Sequence, residues 1–223
     1  MENHKNRIKE LIKEWIRLDY IKPEDVPSIE LYMDQITTFM DKQLANTKRF
    51  DSDKTLTKTM INNYTKNDLL PPPVKKKYSK EHIFLLIYIY YFKNSLSIND
   101  IQKILAPMLE KFCQEGDCSD MDKIYSTIFE AEHTHFKNIL ENIDATHNLS
   151  KSLFKDYTGS DREYLDTFAF MALLSYDIYL KKKLMEKLID SWAENDSPEE
   201  SKKEAKKKEP KKEGSSKKKE ENS

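Results

Sequence analysis

The chain has 223 residues, of which 38% are hydrophobic and 35% are charged, and its formal net charge is −1. These proportions supply a core for one or two small domains and leave large solvated faces. The 3 glycines are far apart, which argues against phosphate-cradling loops and dinucleotide-binding turns built on several glycines. The composition predicts an all-α, mainly helical fold.

Export and membrane signals are missing from the pattern. The first residues carry no apolar segment of the signal-peptide kind, and the longest apolar run, Ile83 to Phe92, is shorter than the roughly 20 residues that a membrane span needs. Cys113 and Cys118 do not make a disulfide framework, so a reducing compartment is the simpler assumption. We therefore expect a cytoplasmic protein with no membrane partner.

Apolar residues recur at helical spacing along most of the chain. Residues 5–18 form the first predicted helix. Pro23 and Pro27 break the pattern, and Ser28 is the candidate N-cap of a second helix. After a polar stretch, a short helix is predicted over about residues 55–67.

A proline run separates this short helix from the next elements. Residues 69–73 must be extended, because proline cannot continue a helix and restricts the residue before it. Residues 74–78 are predicted to form a basic strand or loop tip. Ser79 and Ser97 are the candidate N-caps of two further helices, the second ending at about Phe112.

Two longer helices are predicted beyond that point. One lies within residues 119–148, and the other runs from about Asp161 to Trp192 with more apolar residues than one face needs. Intrachain core is the simpler interpretation of this excess, and a homodimer interface is the alternative. After Ala193 the Lys/Glu-rich chain has no large apolar residue, which predicts disorder.

Charge is distributed unevenly. Residues 42–82 contain ten basic and four acidic residues, a net charge of +6, whereas residues 113–200 contain nine basic and nineteen acidic residues, a net charge of −10. A basic surface attracts a polyanion and gains from the release of counterions. A solvated lysine face is the alternative interpretation of any single basic stretch.

The basic segment also holds side chains suited to DNA recognition. The amides of Asn62 and Asn63 can pair bidentately with adenine in the major groove, and the neighbouring lysines can hold phosphates. A basic strand or loop tip beside a recognition helix is typical of the wing in a winged-helix domain. The candidate DNA-binding residues are Thr57, Lys58, Thr59, Asn62, Asn63, Tyr64, Lys66, Lys75, Lys76, Lys77 and Tyr78. Tyr64 and Tyr78 are equally compatible with packing.

This segment resembles a known layout. Residues 59–72 (TMINNYTKNDLLPP), 77–82 (KYSKEH) and 96–101 (LSINDI) resemble the MerR-type winged helix, with its recognition helix, Leu-Leu-Pro turn and wing ending in Tyr-Ser-Glu. Residues 10–112 are more closely similar to the YkrK-like proteins, a Firmicute family of domains of unknown function. The resemblance implies a bacterial transcriptional regulator whose partner is double-stranded DNA.

Three positions depart from the MerR pattern. The layout usually has Arg-Tyr-Tyr where this chain has Asn62-Asn63-Tyr64. The arginine that normally binds a phosphate is therefore absent, and Lys58 or Lys66 is the candidate replacement. Asp68 stands where the layout usually has glycine.

The resulting organisation has three parts. We expect a MerR-like winged-helix DNA-binding domain with its N-terminal helix at 1–112, a helical dimerisation or effector region at 113–193, and a disordered tail at 194–223. The alternative functions are a helical protein-interaction protein that uses a winged-helix scaffold, and a non-specific DNA binder. The sequence identifies no effector ligand.

The sequence gives no indication of catalysis. Cys113 and Cys118 with His133 and His135 are the candidate metal set, but helical residues two apart face different directions and converge poorly on one ion. The acidic residues are scattered, and no nucleophilic or acid–base constellation is evident. We expect no enzyme activity, no cofactor and no metal site.

Overall fold

The computed structural model describes residues 21–113, 118 and 120–195. The predicted helix over residues 5–18 and the predicted tail beyond residue 195 lie outside these ranges. The described residues form six α-helices and one two-stranded sheet, so the predicted mainly helical class is confirmed.

The elements follow one another in a simple order. They are β1 (Leu31–Tyr32), α1 (Met33–Gln43), α2 (Lys58–Lys66), β2 (Lys77–Tyr78), α3 (Lys80–Phe92), α4 (Ile98–Phe112), α5 (Asp120–Lys151) and α6 (Gly159–Asn195). Single 3₁₀ turns occupy Pro23–Asp25 and Ala45–Thr47.

Helix α1 begins at Met33, later than its apolar pattern predicted. Leu31 and Tyr32 form β1 instead and pair antiparallel with Tyr78 and Lys77 of β2. Tyr32 is the N-cap residue, and its backbone N–H donates to Oε1 of Gln35 at 2.8 Å. The prediction that Ser28 caps this helix was wrong, because strand pairing takes the residues that would have formed its first turn.

Helix α2 has a defined cap at each end. At its start, the Thr57 hydroxyl accepts a hydrogen bond from the Met60 backbone N–H at 3.2 Å. At its end, Asp68 adopts a φ of 54° and the Leu69 N–H donates to the Tyr64 carbonyl at 2.9 Å. This Schellman-type ending normally places glycine in the left-handed position. Asp68 therefore fills a glycine site, which aspartate tolerates better than most residues do.

The predicted caps of α3 and α4 are confirmed. Ser79 precedes α3, and its backbone N–H donates to Nδ1 of His82 at 3.1 Å. The Ser97 hydroxyl accepts from the Asp100 N–H at 3.2 Å. Helix α4 then ends at Phe112, as its pattern predicted.

One hydrophobic core joins the two halves of the chain. Helix α3 lies at its centre and is buried along nearly its whole length. From α5, the Tyr125 ring stacks on Phe84 at 4.3 Å and its hydroxyl donates to the Ile21 carbonyl at 2.6 Å. Ile189 of α6 belongs to the same core. The core therefore crosses the boundary that the sequence suggested at residue 112.

Cys113 and Cys118 form a disulfide between the end of α4 and the start of α5. The two cysteines predicted no disulfide framework and a reducing compartment, and this short bridge departs from that expectation. No helix within the described ranges is long and apolar enough to cross a membrane.

Candidate nucleic-acid interface

Helix α2 separates its polar side chains from its apolar ones. Ile61 and Tyr64 face the core, with 0% and 6% of their surface exposed. Five predicted site residues lie on the solvent side instead, because helical spacing places them in two neighbouring rows. These exposed residues are Lys58, Thr59, Asn62, Asn63 and Lys66.

The predicted basic tip is a two-residue turn. The Val74 N–H donates to the Lys77 carbonyl at 3.0 Å, and the Lys77 N–H donates back to the Val74 carbonyl at 2.9 Å. Between them Lys75 and Lys76 have φ angles of 51° and 67°. Two positive φ angles in a doubly bonded turn define the type I′ geometry. We call this turn, residues 74–77, the wing turn.

The wing turn carries lysines where its backbone favours other residues. Type I′ turns strongly prefer Asn-Gly or Gly-Gly, because a side chain in the left-handed region meets the following carbonyl. Lys75 and Lys76 nevertheless occupy both positions, and both are exposed. The turn therefore presents two positive charges at a conformational cost of about 1–2 kcal/mol for each residue.

Helix α2 and the wing turn adjoin the same segment, residues 30–34. Asp34 forms an ion pair with Lys58 at the start of α2. Two residues earlier, Tyr32 pairs with Lys77 in the sheet. The start of α2 and the base of the wing turn are thus held on one side of the protein by neighbouring residues of a single segment.

The lysines of this surface differ in how far their charge is compensated. Lys58 is paired with Asp34, and Lys77 Nζ lies 3.7 Å from Glu30 Oε2 and 5.7 Å from the centre of the Tyr32 ring. By contrast, Lys66, Lys75 and Lys76 are exposed and have no ion pair with any described residue. These three carry the most available positive charge.

An open groove extends the basic surface beyond α2. Its volume is about 510 Å³, and it lies between α1 and the segment that leads into α2. Lys42 and Lys54 line it, and both are exposed without an ion pair among the described residues. Asp41 also lines it, but a hydrogen bond from Lys48 lowers the pKa of this carboxyl, and the ion pair with Lys48 at 2.7 Å compensates its negative charge.

The two groove lysines were missing from the predicted site. Sequence reasoning counted Lys42 and Lys54 among the basic residues of the segment, but it did not assign them a position. Their placement depends on how α1 packs against the loop before α2, which is a tertiary contact without a local signal.

Three predicted site residues have structural roles. Thr57 caps α2, so its hydroxyl oxygen already accepts a hydrogen bond. Tyr64 and Tyr78 are buried, with 6% and 3% of their surface exposed, and burial raises the pKa of both phenols. The structure therefore favours packing for the two tyrosines and removes them from the exposed interface.

The candidate metal set does not assemble. Cys113 and Cys118 are joined to each other, and His133 and His135 are exposed on α5. Within the part of the chain that the structure describes, no group of three or more potential ligands is placed to hold a metal ion.

Comparison with known proteins gives one family match. Residues 21–128 match the model of a family described as Domain of unknown function (DUF1836). No curated protein and no solved structure matches the chain. The matched region runs from the start of the described structure into α5, and so includes α2, the wing turn and the groove. The chain is thus similar to the DUF1836 family over the region that carries the candidate interface.

Proposed function

We propose that the protein is a DNA-binding transcriptional regulator of the MerR-like winged-helix type. In this proposal α2 enters the major groove and the wing turn contacts the neighbouring phosphate backbone. The proposal rests on the observation that the polar face of α2 and the wing turn adjoin the same five residues, 30–34.

Helix α2 has the size and chemistry of a recognition helix. Its 9 residues span about 13 Å along the helix axis. An α-helix with its side chains is about 10–12 Å across and fits the major groove, which is about 12 Å wide. The side-chain amides of Asn62 and Asn63 are exposed and make no hydrogen bond to another described residue. Each amide is therefore available to pair with the edge of an adenine.

Phosphate contacts are assigned to lysines whose charge is free. Lys66, Lys75 and Lys76 can neutralise phosphates without breaking an existing ion pair. Lys58 and Lys77 must first release Asp34 and Glu30, so their net contribution is smaller. Lys42 and Lys54 in the groove provide further contacts along the backbone.

The backbone of the wing turn supports a functional role for its lysines. Strained φ angles persist where the surrounding structure fixes them, and they often mark functional sites. Asn-Gly would relieve the strain of this turn but would remove both charges. Phosphate binding explains why lysine is present at two positions that disfavour it.

The proposal is tested by selecting bound duplexes from a random DNA pool and measuring the affinity of the enriched sequence. Asn62→Ala and Asn63→Ala should each relax the base preference at one position, by about 1–3 kcal/mol per good contact. Asn99→Ala is the matched control, because Asn99 is an exposed asparagine on α4 outside the interface.

Two outcomes would contradict this proposal. Salt-dependent binding without an enriched sequence would overturn base recognition and leave a non-specific DNA binder. Absence of binding at low salt would overturn the DNA-binding function altogether.

A further inference from the structure

The loop between α1 and α2 is closed at its base. Lys48 Nζ lies 2.7 Å from Oδ1 of Asp41 in α1, and the Thr55 hydroxyl donates to the same oxygen at 3.2 Å. The Thr55 carbonyl also accepts a hydrogen bond from Lys93 Nζ at 2.8 Å. Because both ends of the loop meet at one carboxylate, residues 49–53 form a separate tip, most of which is exposed. We call residues 49–53 the α1–α2 tip.

Two hydrogen bonds fix the backbone of the α1–α2 tip. The Asp53 N–H donates to the Phe50 carbonyl at 2.9 Å, and the Phe50 N–H donates to Oδ2 of Asp53 at 3.0 Å. Aspartate commonly stabilises turns by bonding to nearby backbone groups in this way. The Phe50 ring is therefore carried on a defined turn.

The α1–α2 tip displays an aromatic ring and a cation together. Phe50 is 59% exposed, and the guanidinium carbon of Arg49 lies 5.2 Å from the centre of its ring. The ring does not belong to the hydrophobic core. A single exposed phenylalanine is ordinary on a protein surface, so exposure alone assigns Phe50 no role.

The position of the tip relates it to the candidate interface. Lys54, the residue that follows the tip, lines the open groove together with Lys42 and Lys58, and so does Asp41 at the base of the tip. The five steps from Asp53 to Lys58 span at most about 18 Å. Half a helical turn of DNA is about 17 Å. The tip is therefore within reach of the minor groove next to the major groove that α2 would occupy.

The charge of the tip does not suit a phosphate contact. Arg49 contributes one positive charge, whereas Asp51 and Asp53 contribute two negative charges, so residues 49–53 have a net charge of −1. The ring of Phe50 cannot neutralise a phosphate either. Both side chains suit the bases instead, because proteins that bind the minor groove combine arginine with apolar wedges such as phenylalanine.

We propose that Phe50 is a DNA wedge, which enters a base step of the minor groove beside the major groove occupied by α2. This inference rests on the proposed DNA-binding function and extends it. Arg49 accompanies the ring into the minor groove, whose negative potential attracts the guanidinium. The hydrogen-bonded turn already orients the ring, so less conformational freedom is lost on binding.

Bending of a bound duplex tests the wedge. The probe is the duplex enriched from the random pool, or one of random sequence if none is enriched, with a fluorescent donor and acceptor at its two ends. The wild-type full chain should bring the ends closer, since wedges of this kind kink DNA by roughly 20–90°. Phe50→Ala should bend the duplex less, and Phe50→Leu should retain most of the bend because leucine also serves as a wedge.

Affinity and its salt dependence separate the wedge from the phosphate contacts. Phe50→Ala should bind about fivefold to a hundredfold more weakly, as expected for the loss of stacking on one base. Its slope of log affinity against log salt should equal that of the wild type, because no positive charge is removed. Leu153→Ala is the matched control, since Leu153 is 51% exposed in the turn between α5 and α6, and it should keep both the bend and the affinity. Melting temperatures should be unchanged in all three variants, because the substituted side chains are exposed.

Four results would overturn the proposal, and they distinguish it from DNA binding itself. A wild type that binds the duplex without bending it would exclude a wedge, as would a Phe50→Ala variant that binds and bends as the wild type does. A shallower salt slope for Phe50→Ala would assign its loss of affinity to phosphate contacts. In these three cases the DNA-binding function stands. A wild type that binds no duplex at low salt would contradict that function and the wedge together, and would leave a protein partner as the alternative for the exposed ring.

Discussion

Individual residues with left-handed backbone mark the candidate interface. Among the described residues other than glycine, positive φ angles occur at Asp68, Lys75 and Lys76. All three lie in the segment between the end of α2 and the end of the wing turn. At Asp68 the conformation closes the helix, and at the two lysines it closes the turn. Local strain is therefore concentrated where α2 and the wing turn are positioned.

Substitution of Asp68 by glycine should stabilise the protein. Asp68→Gly should raise the free energy of unfolding by about 1 kcal/mol, because glycine adopts the left-handed region without strain. Urea denaturation measures the change. Asp68→Ala is the control, since it removes the same charge without conformational freedom, and it should destabilise the protein. Equal effects of the two changes would assign the result to charge instead of backbone conformation.

His82 should make stability depend on pH. Burial lowers its pKa, although the backbone carbonyls of Pro72 and Pro71 and the charges of Glu81 and Glu30 partly oppose the shift. Nδ1 accepts a hydrogen bond from the Ser79 N–H. The unfolded chain therefore binds a proton more readily than the folded chain. Stability should be complete above the ordinary histidine pKa of about 6.5 and should fall as the pH decreases below it.

Denaturation of the His82→Gln variant at pH 7.5 and pH 5.5 measures the histidine contribution. Glutamine retains an acceptor for the Ser79 N–H, as in a capping box, but does not titrate. The variant should lose less stability between the two pH values than the wild type does. An identical loss in both proteins would show that His82 does not cause it.

At the scale of elements, local signals were predictable and tertiary pairings were not. Ser97 and Ser79 mark the starts of α4 and α3, because a capping residue followed by an apolar run is a local pattern. The strand β1 was missed, since Leu31 and Tyr32 pair with residues more than forty positions away. The sequence also gave no sign that Asp34 compensates Lys58. Five of the predicted site residues share the exposed face of α2, because helical spacing alone brings them together.

The exposed face of α2 and the two lysines of the wing turn could both be predicted from the sequence, for the same reason. Helical periodicity and the basic run after the prolines are both local features. The groove lysines and the burial of Tyr64 and Tyr78 depend on packing between distant segments. The apolar excess of α6 was recognised, but only the structure shows that most of it stays exposed within one chain.

At the scale of the molecule, the long helices belong to the same body as the candidate interface. Tyr125 joins α5 to the start of the described chain through its hydrogen bond to Ile21 and stacks on Phe84 in α3. Arg162 links the two long helices through hydrogen bonds to the carbonyls of Lys151 and Lys155 at 2.9 and 3.2 Å. The candidate interface is therefore packed on the same hydrophobic core as α5 and α6.

The hydrogen bond from the Tyr125 hydroxyl to the Ile21 carbonyl should contribute measurably to the stability of the protein. Tyr125→Phe keeps the ring but leaves the Ile21 carbonyl without its buried partner, so the free energy of unfolding should fall by about 1–3 kcal/mol. Tyr88→Phe is the matched control. Its hydroxyl is buried and makes no hydrogen bond to another described residue, so its removal should leave stability unchanged or increase it. Equal losses of stability in the two variants, measured by thermal or urea denaturation, would contradict the role assigned to the Tyr125 hydroxyl.

The central claim is that the wing turn binds DNA phosphates, and the salt dependence of binding tests it most directly. The double substitution Lys75→Asn/Lys76→Gly preserves the type I′ turn while removing both charges. We predict that the variant binds DNA more weakly and that its slope of log affinity against log salt is shallower by about 2, at about 0.9 for each lost phosphate contact. Its melting temperature should not decrease. An unchanged salt slope with unchanged affinity would contradict the claim, as would a wild-type protein that binds no duplex at low salt.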